Sequence, residues 1–145
     1  MKDRFITITG FKYYYGTRPL QIGALVKCIK EPDNSYDQEA IKAVMPMIGT
    51  VGYVANSPST VAGGTMSAGR IYDHVKRQFY VRVMFTTFTK VICKIEFGSN
   101  EAYERELRAQ MGEDEDDWGW IEDEEVPAGK SNGVFYYQTS DEDDV

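Results

Sequence analysis

The chain has 145 residues, 42% of them apolar, which suits one domain with a real core and leaves little for a second. No apolar run approaches the about 18 residues of a membrane helix, and the charged start "MKDRFITITG" lacks the apolar block of a signal peptide, so a cytoplasmic location with no membrane partner is expected. The net charge of −7 hides a division, because residues 1–98 hold 13 Lys+Arg against 7 Asp+Glu, whereas residues 99–145 hold 3 against 16. A basic body with an acidic tail remains compatible with nucleic acid, which a uniformly acidic protein would not be.

In chain order, "RFITITGF" alternates apolar and polar residues with the period of a half-buried strand. The next segment, "GFKYYYGTRPLQIG", places Tyr13, Tyr14 and Tyr15 beside Lys12 and Arg18. Three consecutive rings cannot all enter one core, because neighbours on a strand face opposite sides. "PLQIGALVKCIKEP" reads as a second strand, with a bend or bulge at Gly23, and ends in the turn chemistry of "PDNSYD". "AIKAVMPMIGTVGYVA" reads as a hairpin with arms Ala40–Met47 and "VGYVA" and a turn around Ile48–Thr50; Pro46 places the first arm near a sheet edge.

In "NSPSTVAGGTMSAGRIYDHVKR", Asn56, Ser57 or Ser59 is a candidate cap for a short helix that Gly63 and Gly64 interrupt, and a second helical turn follows over Ala68–Val75. "TMSAGR" between them reads as a tight turn, since a phosphate loop would need a lysine and a long following helix. Two strands follow, Phe79–Thr86 and Lys90–Phe97. About six short strands with short helices predict a mainly β chain folded as a small barrel.

From Ser99 the composition changes. "SNEAYERELRAQMG" reads as a helix over residues 99–112, whose thin stripe of Tyr103, Leu107 and Met111 suits packing on the barrel. Residues 113–125 then contain nine acidic residues in thirteen, with Trp118 and Trp120 embedded. Such a run is usually a solvated tail, but large rings are not needed for solubility, so docking in cis or on a partner is an equal expectation. The expected organisation is a barrel over 1–98, a helix over 99–112 and an acidic, aromatic-containing tail over 113–145.

Signatures of catalysis are missing: no glycine-rich phosphate loop, no dinucleotide fingerprint and no metalloprotease motif. Cys28 and Cys93 lack metal-ligand spacing and read as reduced buried thiols, His74 reads as a surface helix residue, and Asp33 and Asp37 suit a turn better than a calcium site. No enzyme activity, cofactor or metal is expected. The body offers aromatic and basic interleaving instead: Lys12, Tyr13, Tyr14, Tyr15 and Arg18 in one loop, Asn34, Tyr36 and Asp37 in another, and Tyr53 and Asn56 at a strand end. Convergence at one barrel mouth would make a stacking surface for single-stranded nucleic acid; the plainer alternative has one tyrosine in the core and the others covering apolar neighbours.

"GFKYYYG", "IKEPDNSYDQEAIKAV", "GTVGYVA" and "GTMSAGRIYDHV", in this order and spacing over roughly residues 5–97, resemble the HIRAN domain, a DNA-end-binding module of some fork-remodelling helicases that also occurs as a stand-alone bacterial protein. The resemblance implies a six-stranded barrel related to the OB-fold and a pocket for the 3′ end of single-stranded DNA. It implies that Lys12, Tyr13 and Tyr14 grip the terminal bases and backbone, and that Asn34, Tyr36 and Asp37 form the second wall. Asp37 would accept a hydrogen bond from the terminal hydroxyl, and Tyr53 falls on a pocket position. Asn56 stands where the helicase members have a lysine, so one phosphate contact is expected to be absent, and Phe79, Phe85 and Phe88 all remain candidates for the family's pocket phenylalanine. The acidic tail supports an alternative partner, a DNA- or RNA-processing enzyme engaged by mimicry of nucleic acid.

Overall fold

Six antiparallel strands close on themselves. The computed structural model describes residues 3–112, so the expectations for the acidic tail lie outside the described residues. In chain order the elements are β1 (Phe5–Thr9), a 3-10 turn (Phe11–Tyr13), β2 (Leu25–Lys30), β3 (Ile41–Met45), β4 (Gly49–Val54), α1 (Ala68–Ile71) with a 3-10 extension (Tyr72–His74), β5 (Gln78–Thr86), β6 (Val91–Glu96) and α2 (Asn100–Gln110). The strands run β1-β4-β3-β2-β5-β6 around the barrel, with β6 returning to pair with β1.

Alternation in the strands sets which side chains fill the interior. Ile6 and Ile8 of β1, Val26 and Cys28 of β2, Ile41, Ala43 and Met45 of β3 and Val81 and Val83 of β5 are all buried in one cluster. Cys28 and Cys93 are free thiols within it. Burial pushes the Cys93 thiol up to about 12 and raises Cys28 well above its ordinary value, with Cys93 adding to the effect.

The barrel has no edge for Pro46 to mark; this proline sits in the turn just after β3, where no ladder amide is needed. Met47, in the left-handed region at φ 74°, and Gly49 at φ 78° complete the reversal into β4. The second strand is shorter than its apolar run suggests. Residues 19–24 form a turn instead, in which Gln21 Nε2 donates to the Thr17 and Arg18 carbonyls and Gly23 adopts φ 90°. The expected helix after Asn56 is a single turn held by the Ser57 and Thr60 hydroxyls (2.8 Å). The true cap is Ser67, whose Oγ accepts from the Arg70 amide, so "TMSAGR" leads into α1 and joins no two helices.

Between Asn56 and Met66 the chain crosses the outside of β1. Ala55 N–H donates to Thr7 C=O, Met66 N–H to Phe5 C=O, and the buried Thr7 hydroxyl lies 2.7 Å from that of Thr65 while accepting from the Ala62 amide. β1 meets β4 directly at only two register positions, Ile8↔Val54 and Thr9↔Tyr53. Gly52 makes this close approach possible, since a Cβ there would lie 2.7 Å from Ile8 Cγ2 and 2.9 Å from Thr9 O.

α2 begins at its Ser99 cap and lies across β2 and β5. Leu107 is fully buried with Leu25 and Tyr80, and the Tyr103 ring tilts against Tyr80 at 5.1 Å. Arg82 reaches Glu106 with both terminal guanidinium nitrogens (2.6 and 3.1 Å), and Lys27 pairs with Glu104 at 2.9 Å. Leu25 stands where the β2–β3 register has not yet begun, its first pair being Lys27↔Val44. Gln110 fills the gap: its Oε1 accepts from Leu25 N–H (3.0 Å) and its Nε2 donates to Leu25 C=O (2.6 Å), as a strand would. Gln110→Ala is expected to destabilise the protein by about 1–3 kcal/mol by orphaning both groups, lowering the denaturation midpoint without changing the slope m.

Candidate nucleic-acid interface

Three chain segments build a cleft of about 490 Å³ on the outside of the barrel at the β1–β4 seam. The loop after β2 supplies Asn34, Tyr36, Asp37 and Ala40; the end of β4 and the chain beyond it supply Tyr53, Asn56, Ser57 and Thr60; β1 supplies Thr9. The cleft is open to solvent and falls within the size range of small-ligand sites.

Asn34 organises its own loop. Its Oδ1 accepts from the amides of Tyr36 (2.8 Å) and Asp37 (3.1 Å), the self-capping habit that favours asparagine in turns. This geometry throws Tyr36 outward until its ring is 97% exposed. Asp37 Oδ1 accepts from the Glu39 amide and its Oδ2 from Asn56 Nδ2 at 2.9 Å, tying the two walls together. Asn56 is itself oriented, because its Oδ1 accepts from the Gly69 amide at 2.8 Å. A Cβ at Gly69 would come within 2.6 Å of Glu39 Oε1 and 3.2 Å of Asn56 Oδ1, so the glycine of "SAGR" admits the close approach that holds Asn56.

Glu31 is the polar anchor beneath the cleft. Its Oε1 accepts from Asn34 Nδ2 (3.1 Å) and Tyr53 Oη (2.9 Å), and Lys42 lies 3.6 Å from its Oε2. Burial would raise its carboxyl, but the Asn34 and Tyr53 hydrogen bonds and the Lys42 ammonium outweigh it and leave the group below the usual range. The Tyr53 phenol is pushed up to about 12 by burial, by its hydrogen bond to Glu31 and by the charge of Glu31, with a smaller contribution from Tyr14.

The structure thus brings Asn34, Tyr36, Asp37, Tyr53 and Asn56 together, and Lys12, Tyr13 and Tyr14 are absent from the cleft lining. Lys12 and Tyr13 lie in the neighbouring 3-10 turn, which packs on β4, and Tyr14 ends it, near enough to Tyr53 to influence its ionisation. Tyr13 is 75% exposed with the Lys12 ammonium 5.1 Å from its ring centroid, and Tyr14 is 44% exposed. None of the three rings enters the core, and Tyr15 is drawn aside, its hydroxyl donating to the Ile48 carbonyl. Sequence reading assigned no role to Glu31 or Gly69. The signal for Glu31 was its place at the head of "EPDNSYD", and Gly69 is invisible until Asn56 is seen to need its amide.

Asn56→Asp tests the cross-wall bond. The Oδ1 arm still accepts from Gly69, but the other arm then sets a carboxylate against Asp37. Like charges raise the pKa of one member of such a pair, so the loss of stability is expected to be largest at neutral pH and to shrink as pH falls through about 5 to 3. Thermal melts across that range read it, and a pH-independent loss would contradict the geometry.

The HIRAN domain family matches residues 2–91. A crystal structure of the HIRAN domain of human HLTF is similar at 20% identity and a TM-score of 0.47, covering 75% of this chain and 85% of that one. A Lactobacillus plantarum protein of known structure is similar at 20% identity and a TM-score of 0.45, covering 65% of this chain and 95% of its own. No curated protein matches the sequence. With the family pattern running from β1 to the first residue of β6, the chain belongs to the HIRAN domain family of DNA-binding modules.

Proposed function

We propose that the chain is a non-enzymatic module that captures single-stranded DNA by its 3′ end. The observation that carries this is the convergence of Asn34, Tyr36, Asp37, Tyr53 and Asn56 in one solvent-open cleft. Tyr36 presents almost its whole ring to solvent, a waste of apolar surface unless something flat covers it. Bases stack on such rings at about 1–3 kcal/mol each. Asp37, next to Tyr36 on the same wall, suits a terminal hydroxyl, because a carboxylate accepts a hydrogen bond and repels an internal phosphodiester. Tyr13 and Tyr14 extend the stacking surface past Tyr53, with Lys12 available to phosphate.

Oligonucleotides with a free 3′ hydroxyl are expected to bind more tightly than the same sequences phosphorylated there, as read by fluorescence anisotropy; equal affinities would reject the end reading. Tyr36→Ala, at a fully exposed position, and the pair Tyr13→Ala with Tyr14→Ala are each expected to weaken binding by roughly 5- to 150-fold, the equivalent of about 1–3 kcal/mol. Unchanged binding in both would remove the stacking platform.

A second reading rests on composition: the acidic run with Trp118 and Trp120 supports an adaptor or inhibitor that offers a DNA- or RNA-processing enzyme an imitation of nucleic acid. Deleting 113–145 then abolishes inhibition of such an enzyme and leaves oligonucleotide affinity unaltered. Tighter oligonucleotide binding on deletion instead points to a tail that competes for the chain's own basic body.

A further inference from the structure

The segment from the last turn of α1 to the start of β5, Arg70 to Arg77, carries Arg70, Lys76 and Arg77, all exposed, with His74 also exposed and Asp73 as its one carboxylate. None of the three permanent cations has a carboxylate within 4.0 Å or a side-chain hydrogen bond among the described residues, whereas Lys27, Lys42 and Arg82 are all paired. Three exposed cations within eight residues, without an ion-pair partner among the described residues, contribute nothing evident to the fold.

Both ends of this segment adjoin residues that shape the cleft. Gly69, immediately before Arg70, donates its amide to Asn56. Arg77 C=O accepts from the Lys30 amide at 2.9 Å, and Lys30 directly precedes Glu31, the anchor of Asn34 and Tyr53. The segment is also held rigidly between its ends: Lys30 Nζ donates to Val75 C=O at 2.7 Å and sits 4.5 Å from the centre of the Tyr72 ring. Lys30 is therefore spent on holding the backbone, which leaves Arg70, Lys76 and Arg77 to face outward. The carboxylates nearby are Asp73 within the segment, Glu39 beside Gly69, and Asp37 and Glu31 of the cleft; Asp37 is held by Asn56 and the Glu39 amide, and Glu31 by Asn34, Tyr53 and Lys42.

We infer that Arg70, Lys76 and Arg77 form a phosphate track that guides the single strand away from the cleft, adding sequence-independent affinity for nucleotides beyond the captured end. This rests on the cleft holding a strand terminus, as proposed above. With the terminal bases on Tyr36, Tyr13 and Tyr14, a strand that leaves on the Asn56 side would reach Arg70 first, next to the Gly69 amide that Asn56 holds, and each phosphate neutralised releases counterions, which makes affinity salt-dependent.

The test uses the full chain and two free-3′-hydroxyl probes, a trinucleotide and a strand of about 15 nucleotides, titrated between about 50 and 200 mM salt. In Arg70→Ala/Lys76→Ala/Arg77→Ala, the trinucleotide is expected to bind as it does to the native chain. The longer strand loses affinity, and its log–log salt slope becomes shallower by about 2, three phosphates at about 0.7 each. Across that salt range the native chain then loses roughly 20-fold more affinity than the variant. The charge-conserving Arg70→Lys/Lys76→Arg/Arg77→Lys retains the native slope. An unchanged slope in the alanine variant overturns the track, and so does an equal loss for both probes, which would mean that the residues act through the cleft itself. Failure of the native chain to bind either probe instead defeats the end-capture reading, a result distinct from both.

Discussion

The short seam between β1 and β4 is the constraint on which the rest of the molecule turns. The two strands share only two register positions, and the missing side chain at Gly52 lets them come so close. Beyond Val54 the chain leaves the ladder and crosses the outside of β1, where the Thr7 and Thr65 hydroxyls and three backbone amides hold it. The barrel is closed on its inner side, while on the outer side the departing chain leaves a recess over Tyr53 and Thr9. The cleft is a by-product of how the barrel shuts.

Its walls are organised by short polar side chains answering backbone groups. Asn34 caps its own turn, Asp37 holds the Glu39 amide, Asn56 holds Gly69, and Asp37 and Asn56 join each other. Such a chain of bonds is cooperative in a partly buried setting, and it presets the cleft before any ligand arrives. Preorganisation of this kind reduces the ordering that binding must bring about. The aromatic turn at Phe11–Tyr13 is a looser neighbour, joined to the cleft through the proximity of Tyr14 to Tyr53.

Much of this was legible in the residues. Apolar patterning located all six strands, with period-two alternation plainest in "RFITITGF", and the turn chemistry of "PDNSYD" located the end of the second. The errors came where local pattern was overruled. Leu20 and Ile22 read as strand because they are apolar, yet Leu20 is buried from a turn and Ile22 is exposed. Pro46 suggested an edge because a proline inside a sheet needs one, but the closed barrel offered it a turn. In the site, residues that carry polar or aromatic groups were visible one by one. Their mutual placement was not, because it depends on a seam between strands 45 positions apart and on a glycine that acts through its backbone amide.

The two interior thiols give the barrel a reporter of its own motion. Reaction with a thiol reagent requires a thiolate and access, and burial in the closed state denies both to Cys28 and Cys93. Alkylation of the untreated chain therefore proceeds only through moments when the strands part, so its rate measures how often the barrel breathes. Anything that clamps the wall of the barrel from outside slows that clock without touching either sulfur.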